Sequence, residues 1–303
     1  MRERIKDSLP HRFFIMKKNL QRIIVTGGSG YLGTHIRRYF SADDFSRRTG
    51  SDICNPVDAR QIADYDVVIH MAALVDKRPQ AAAENFRVNV AGTVNLLEQL
   101  RAGQTFIYCS TKDVYGSHID QYQQVPEHCS TEYCGQGAYE WSKLIGEKYL
   151  QFYAKRAGAR AAIFRLATVY ASASTGNPGG FVSYFARAIR TGEPLRLKMR
   201  GTQVRDLLHV DDLARACELF IASSRRQDCY NIGGGAGQAI TLYELTQLLA
   251  KLIGRSAEVI LTDEPVPEQI HYITDISAIA QTLGWRPELD ITTGLGKMLA
   301  DEC

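Results

Sequence analysis

Tyr139 and Lys143, in the run Tyr-Glu-Trp-Ser-Lys, place a phenol and an ammonium four residues apart in a helix-compatible segment. At that spacing the two side chains share one helix face. A tyrosine with a pKa of about 10 exchanges protons poorly at neutral pH, but a neighbouring cation favours the phenolate. Lys143 therefore reads as a group that tunes Tyr139 for acid/base work. The alternative for this pair alone is a solvated lysine beside an interfacial tyrosine. A second polar run, Ser110-Thr111-Lys112-Asp113-Val114-Tyr115-Gly116, follows the apolar stretch 105–109. Hydroxyls at the carboxyl end of a strand in an open α/β sheet stand where ligands bind.

The elements that must carry these groups begin with Arg22-Ile-Ile-Val-Thr26, a short β-branched run. Gly27-Gly-Ser-Gly30-Tyr-Leu-Gly33 follows at once and leads into a helical pattern over 34–40. In strand, turn and helix, the three glycines give a tight turn at Gly27, room for a pyrophosphate at Gly30 and close helix–strand packing at Gly33. The helix N-terminus offers free N–H groups and partial positive charge to phosphates. A second strand is compressed between Ala42 and Arg48. Asp43 or Asp44 at its end suits the ribose hydroxyls of NAD, whereas Arg47 and Arg48 suit the extra phosphate of NADP. With Asp44-Phe-Ser as the strand end, the arginines favour NADP(H) over NAD(H); four solvated loop charges are the alternative. A further buried strand, 66–70, leads to Met71, Ala72 and Ala73, small residues where backbone passes close to a flat ligand. A helix over 91–99 and the strand 105–109 continue the alternation, which predicts an α/β fold, a Rossmann-like doubly wound parallel sheet.

Composition bounds the partners. The chain has 303 residues, 45% hydrophobic and 23% charged, with a net charge of +3 from interspersed residues. No basic block or aromatic-basic interleaving points to nucleic acid, and no run approaches the roughly 18 apolar residues of a membrane span. Lys6, Asp7 and Pro10 interrupt any secretory apolar region; a cytoplasmic location is expected. Seven scattered cysteines, Cys129 and Cys134 among them, give neither a disulfide framework nor a metal pattern, so no metal is expected.

In order along the chain, these motifs resemble the extended short-chain dehydrogenase/reductase family, in its branch of nucleotide-sugar epimerases, dehydratases and reductases. Thr26–Gly33 is similar to the family's glycine turn, His70–Ala73 to its strand-end motif under the cofactor, and Asn89–Asn95 to its helix entering the core. Ser110-Thr111 with Val114-Tyr-Gly116 is similar to its catalytic hydroxyl segment, Tyr139 and Lys143 to its Tyr-x-x-x-Lys pair, and Arg205–Asp212 to the stretch that clamps the nucleotide diphosphate. The resemblance implies that Tyr139 exchanges a proton with a sugar oxygen while hydride passes to or from the nicotinamide. Thr111 then bonds the same oxygen, and Lys143 holds the nicotinamide ribose. It also implies cofactor contacts from Tyr31, Leu32, Asp52, Ile53, Asn89, Tyr139, Lys143 and Leu166, and substrate contacts from Val75, Lys77, Lys112, Asp113, Thr168, Phe181, Arg196 and Arg205. Arg205 suits a diphosphate through its planar fork, with an ion pair to Asp211 or Asp212 as the alternative. His209 is expected to order that loop.

Departures narrow the expected chemistry. Lys112-Asp113 stands where the family's dehydratases carry an acidic pair, which disfavours dehydration. Thr168 replaces a diphosphate-binding Asn, and Ala171 replaces a glycine. Val75-Asp-Lys77 is similar to the keto-sugar reductases, whereas the Arg205 segment is similar to epimerases.

The second half leaves the regular alternation. Residues 172–180 read as a loop, 181–190 as an amphipathic helix over the substrate, and 195–198 as a strand presenting Arg196 and Lys198 together, toward phosphate or toward solvent. Residues 1–20 read as a mobile extension, with Met16 a candidate start. The expected division is 21–170 with 200–235 for the dinucleotide unit, and 171–199 with 236–303 for a smaller, intertwined substrate unit. The function expected is NAD(P)-dependent hydride transfer on a nucleotide-diphosphate sugar, by epimerisation in preference to net reduction of a 4-keto-6-deoxysugar. A sugar 4,6-dehydratase, a non-catalytic dinucleotide-sensing relative and a reductase of apolar carbonyls are lesser alternatives. A homodimer is expected by resemblance, through the helices around 89–98 and Tyr139.

Overall fold

The computed structural model describes residues 21–132, 137–173 and 179–301; the N-terminal extension, Cys134, the centre of the 172–180 loop and Cys303 lie outside them. Six strands form one parallel sheet: β1 (Ile23–Thr26), β2 (Asp43–Phe45), β3 (Val67–His70), β4 (Thr105–Thr111), β5 (Arg160–Leu166) and β9 (Gln227–Ile232), in the order β2-β1-β3-β4-β5-β9. Every residue of β3 and β4 is buried, as expected for strands covered on both faces. Apolar clusters fill both sides. One contains Val25, Ile69, Phe164 and Trp285, the other Ile24, Val68, Phe106 and Leu150.

Strand order reverses between β1 and β3, which opens a crevice beyond the carboxyl ends of the central strands. Two helices frame it. Tyr31–Phe40 starts directly after the glycine turn, and Ala138–Ala157 crosses β4 and β5. Tyr139, Lys143, Gly146, Leu150 and Ala154 form the buried stripe of the second helix. Gly146 lets it lie close, since a Cβ there would stand 2.2 Å from the Tyr108 hydroxyl. The helix expected over 91–99 begins earlier: it runs Ala82–Asn85, widens into a π turn at Phe86–Gly92 and ends at Thr93–Leu97.

The remaining strands are short. β6 (Thr168–Tyr170), β8 (Val204–His209), β10 (Ala239–Thr241) and β12 (His271–Tyr272) form a second sheet, and β7 (Leu195–Leu197) pairs with β11 (Val259–Leu261). Thus, within 200–235, β8 joins the second sheet, while the helix Val210–Ala222 and β9 join the main body. The helices Phe181–Thr191, Leu242–Ile253 and Ile291–Asp301 enclose a third cluster containing Leu195, Leu207, Leu245 and Met298. His209 caps Val210–Ala222 by accepting from the Asp211 amide at 3.2 Å, the ordering role expected of it. Among the described residues no helix is long and apolar enough to cross a membrane.

Candidate active site

A cavity of about 490 Å³ runs along the carboxyl ends of the strands. At its centre Gly27 holds a positive φ of 69°, and a Cβ there would stand 2.8 Å from the Ala72 backbone. Gly30, Tyr31 and Leu32 line the wall. Gly30 caps the helix Tyr31–Phe40 without a side-chain bond, and the first turn holds no acidic residue, so its amides and positive dipole end face the cavity. The Tyr31 hydroxyl both donates to the Ala171 carbonyl and accepts from the Ala171 amide at 2.8 Å, tying this turn to the end of β6.

One end of the cavity is lined by Ser46, Arg47, Arg48, Asp52 and Ile53, with Arg87 opposite, paired to Glu84 at 2.6 Å. Asp43 is not part of it. Its carboxylate is exposed and accepts from the Tyr65 hydroxyl at 2.8 Å, because the strand pleat turns it away while its neighbour Asp44 accepts from Ser29 beneath the glycine turn. Met71, Ala72, Ala73 and Leu166 line the floor, and Val75 stands exposed at the rim. Asn89, expected at the cofactor, instead clamps the floor. Its amide oxygen accepts from the Leu74 amide at 2.7 Å and its nitrogen donates to the Leu74 carbonyl at 2.9 Å.

The other end holds Tyr139 and Lys143, one turn apart, beside Cys109 and Ser110. Thr111 ends β4, its hydroxyl accepting from the Asp113 amide at 3.2 Å, and it neighbours the Tyr139 phenol, whose pKa it draws down. The electrostatics differ from the sequence expectation. Burial, then Asp113 and Glu140, push the Tyr139 phenol above its usual range, and the cation that opposes them is Lys77. Burial brings Lys143 down to about 8, and its ammonium sits 4.1 Å from the centre of the Tyr108 ring. Beneath them a buried network fixes β4 and β5: Ser110 donates to Glu147 at 2.6 Å, and Arg165 pairs with Glu147 at 2.7 Å.

A charged cluster adjoins the phenol. Lys77 lies 2.9 Å from Asp113, 3.3 Å from Glu140 and 3.4 Å from Glu268. Lys112 meets Asp113 at 2.6 Å and also bonds Gln269. Burial alone would raise Asp113, but Lys112 and Lys77 hold it well below the usual carboxylate range. Burial outweighs nearby acids at Lys112 and brings it down. Arg205 pairs with neither Asp211 nor Asp212. Its guanidinium donates to the carbonyls of Val204 and Gln269, with Glu268 3.8 Å away.

Of the expected substrate residues only Val75 lines the cavity: Lys77, Lys112, Asp113 and Arg205 belong to the charged cluster, and Arg196, Thr168 and Phe181 stand elsewhere. Arg196 and Lys198 share Glu264 at 2.8 and 3.1 Å on the β7–β11 surface, Thr168 pairs in β6 with Leu207 of β8, and Phe181 packs beside Phe185 in the third cluster. Arg87 and Glu140 escaped the sequence reading, which named His70 only as the start of the strand-end motif. His70 is buried between Thr26 (2.6 Å) and Thr93 (2.9 Å), bracing β1, β3 and the helical segment behind them.

The profile of the NAD dependent epimerase/dehydratase family matches residues 23–233. The chain belongs to this family. As a member of the NAD dependent epimerase/dehydratase family it is 27% identical to the CDP-paratose 2-epimerase of Salmonella typhi, over 91% of this chain and 98% of that one. Among solved structures it is similar to MoeE5 in complex with UDP-glucose and NAD, with TM-score 0.79, 27% identity and coverage of 92% and 97%. It is equally similar to RMD from Pseudomonas aeruginosa complexed with NADPH, with TM-score 0.79, 25% identity and coverage of 93% and 98%.

Proposed function

We propose that this family member transfers hydride reversibly between a nicotinamide dinucleotide and a hydroxyl- or keto-bearing carbon of a nucleoside diphosphate sugar, epimerising that carbon through a transient keto sugar. The observation that carries this reading is the continuity of one cavity from the glycine turn to Tyr139 and Lys143. The helix N-terminus at Gly30, which no side chain caps, fits a pyrophosphate. The bound dinucleotide supplies the hydride acceptor and donor. Tyr139 exchanges the proton of the sugar oxygen, Thr111 hydrogen-bonds that oxygen, and Lys143 holds the nicotinamide ribose. Burial and Asp113 favour the protonated phenol, which donates to the keto oxygen in the reductive half; in the oxidative half the phenolate, the form that Lys77 favours, takes the hydroxyl proton. The epimerase relative, matched over 98% of its length, supports the epimerisation.

A second reading, net reduction of a keto sugar with NADPH, is favoured by Arg47, Arg48 and Arg87 around one end of the cavity. Guanidinium forks suit a 2′-phosphate, and the structural relative RMD is complexed with NADPH. Exposed Phe86, Trp141, Tyr149 and Phe152 on two neighbouring helices support a homodimer. The test separates the two chemistries: purified protein is given sugar nucleotides while sugar stereochemistry and reduced-nicotinamide absorbance are followed together. Inversion without net change in absorbance supports epimerisation, and stoichiometric loss of NADPH supports reduction. Absence of both with every sugar nucleotide overturns the proposal.

A further inference from the structure

Glu140 follows Tyr139 in the helix and is fully buried, yet among the described residues neither carboxylate oxygen has a hydrogen-bond partner. Buried polar groups in native proteins are nearly always bonded, and an unmet carboxylate carries a large desolvation cost. Its counter-charge is Lys77, 3.3 Å away but not aligned for a hydrogen bond, since the ammonium donates to Asp113 at 2.9 Å and Glu268 at 3.4 Å. An ammonium has three donors. One N–H of Lys77 and both oxygens of Glu140 are therefore left for something else.

The open side of this pair is Lys77, whose side chain is 37% exposed. A group inserted there must accept from an ammonium and donate to a carboxylate. A sugar hydroxyl arriving on the exposed Lys77 side does both. We propose that Glu140 and Lys77 form a hydroxyl-recognising subsite, which selects sugars bearing a hydroxyl next to the oxygen held by Tyr139 and Thr111. The inference rests on the nucleotide-sugar reading above and adds a specificity-determining residue to it. Asp113 serves the subsite by holding Lys77, and Lys112 keeps Asp113 ionised.

The test is calorimetric titration of the dinucleotide-loaded full chain with UDP, CDP, dTDP and GDP, and with their glucose conjugates, in wild type, Glu140→Gln and Lys77→Gln. For the nucleotide that binds, the wild-type protein should take the glucose conjugate more tightly than the bare diphosphate. Glu140→Gln should erase about tenfold of the conjugate's affinity, the usual worth of a charge-assisted bond, and leave the bare diphosphate within about twofold. Lys77→Gln should act in the same direction, and both variants' melting curves report folding independently. If the sugar increment survives intact in a folded Glu140→Gln protein, the carboxylate is structural and the proposal is overturned. Should wild type bind neither diphosphates nor conjugates, the nucleotide-sugar reading itself fails, which is a distinguishable result.

Discussion

Asn89 and Leu74 are joined twice: the Leu74 amide donates to the Asn89 side-chain oxygen at 2.7 Å, and the Asn89 nitrogen donates to the Leu74 carbonyl at 2.9 Å. This clamp sits in a π turn, where the helix is widened by one residue per turn and an inward polar side chain reaches across to a loop. Through it the backbone after β3 is held as cavity floor. Asn89→Ala leaves both half-buried backbone groups of Leu74 unpaired, each at a cost on the order of 1–2 kcal/mol. The expected outcome is a loss of about 2–4 kcal/mol in stability, read by urea denaturation, together with weaker dinucleotide binding. Wild-type stability with weak binding would instead return Asn89 to direct cofactor contact.

The arginines on the cavity wall predict a cofactor preference. Arg47 and Arg48 follow β2 on the pocket side, while Asp43 is turned away to Tyr65. The double change Arg47→Ala with Arg48→Ala should weaken NADPH by about tenfold or more, the scale of a lost charge-assisted contact. NADH affinity should change little. Equal loss for both would mean that the arginines hold the shared part of the dinucleotide.

Lys143 predicts a pH dependence in the dinucleotide-free protein. Its pKa falls from 10.5 to about 8 on folding because it is buried. Between those values the unfolded chain holds a proton that the folded one has lost, so stability from this group rises with pH across the window. It is fully present above 10.5 and is lost as pH falls through about 8. The stability of wild type relative to Lys143→Met should therefore increase from pH 8 toward pH 10, where Tyr139 begins to titrate in the unfolded chain. A flat difference would place the Lys143 ammonium in a more solvated setting.

The parts of this arrangement that the sequence made legible are those constrained locally. Gly27 needs its positive φ, the β-branched runs need burial on two faces, and Tyr139 and Lys143 need one helix face; each can be read within a few residues. What stayed hidden depends on chain segments meeting from afar. Asn89 looked like a cofactor contact because nothing nearby in sequence shows that Leu74 comes back to it. Arg196 and Lys198 alternate like a phosphate-facing strand, but Glu264, from the segment that follows the three-residue strand β11, neutralises both. Strands as short as β10, β11 and β12 show no usable periodicity. A second cation at Tyr139 stayed hidden for a related reason: the motif names Lys143, and folding also brings Lys77 to the phenol.

The central claim is that Tyr139 moves the proton of a sugar oxygen while the rest of the cavity holds the dinucleotide. The most direct measurement is turnover of a sugar nucleotide by Tyr139→Phe alongside its affinity for NADPH and NAD. Removal of the hydroxyl should lower turnover by about 10²-fold or more, the usual worth of general acid–base catalysis, while dinucleotide affinity stays within about threefold, because Gly27, Gly30 and Lys143 are untouched. Turnover near the wild-type rate in Tyr139→Phe would contradict the account.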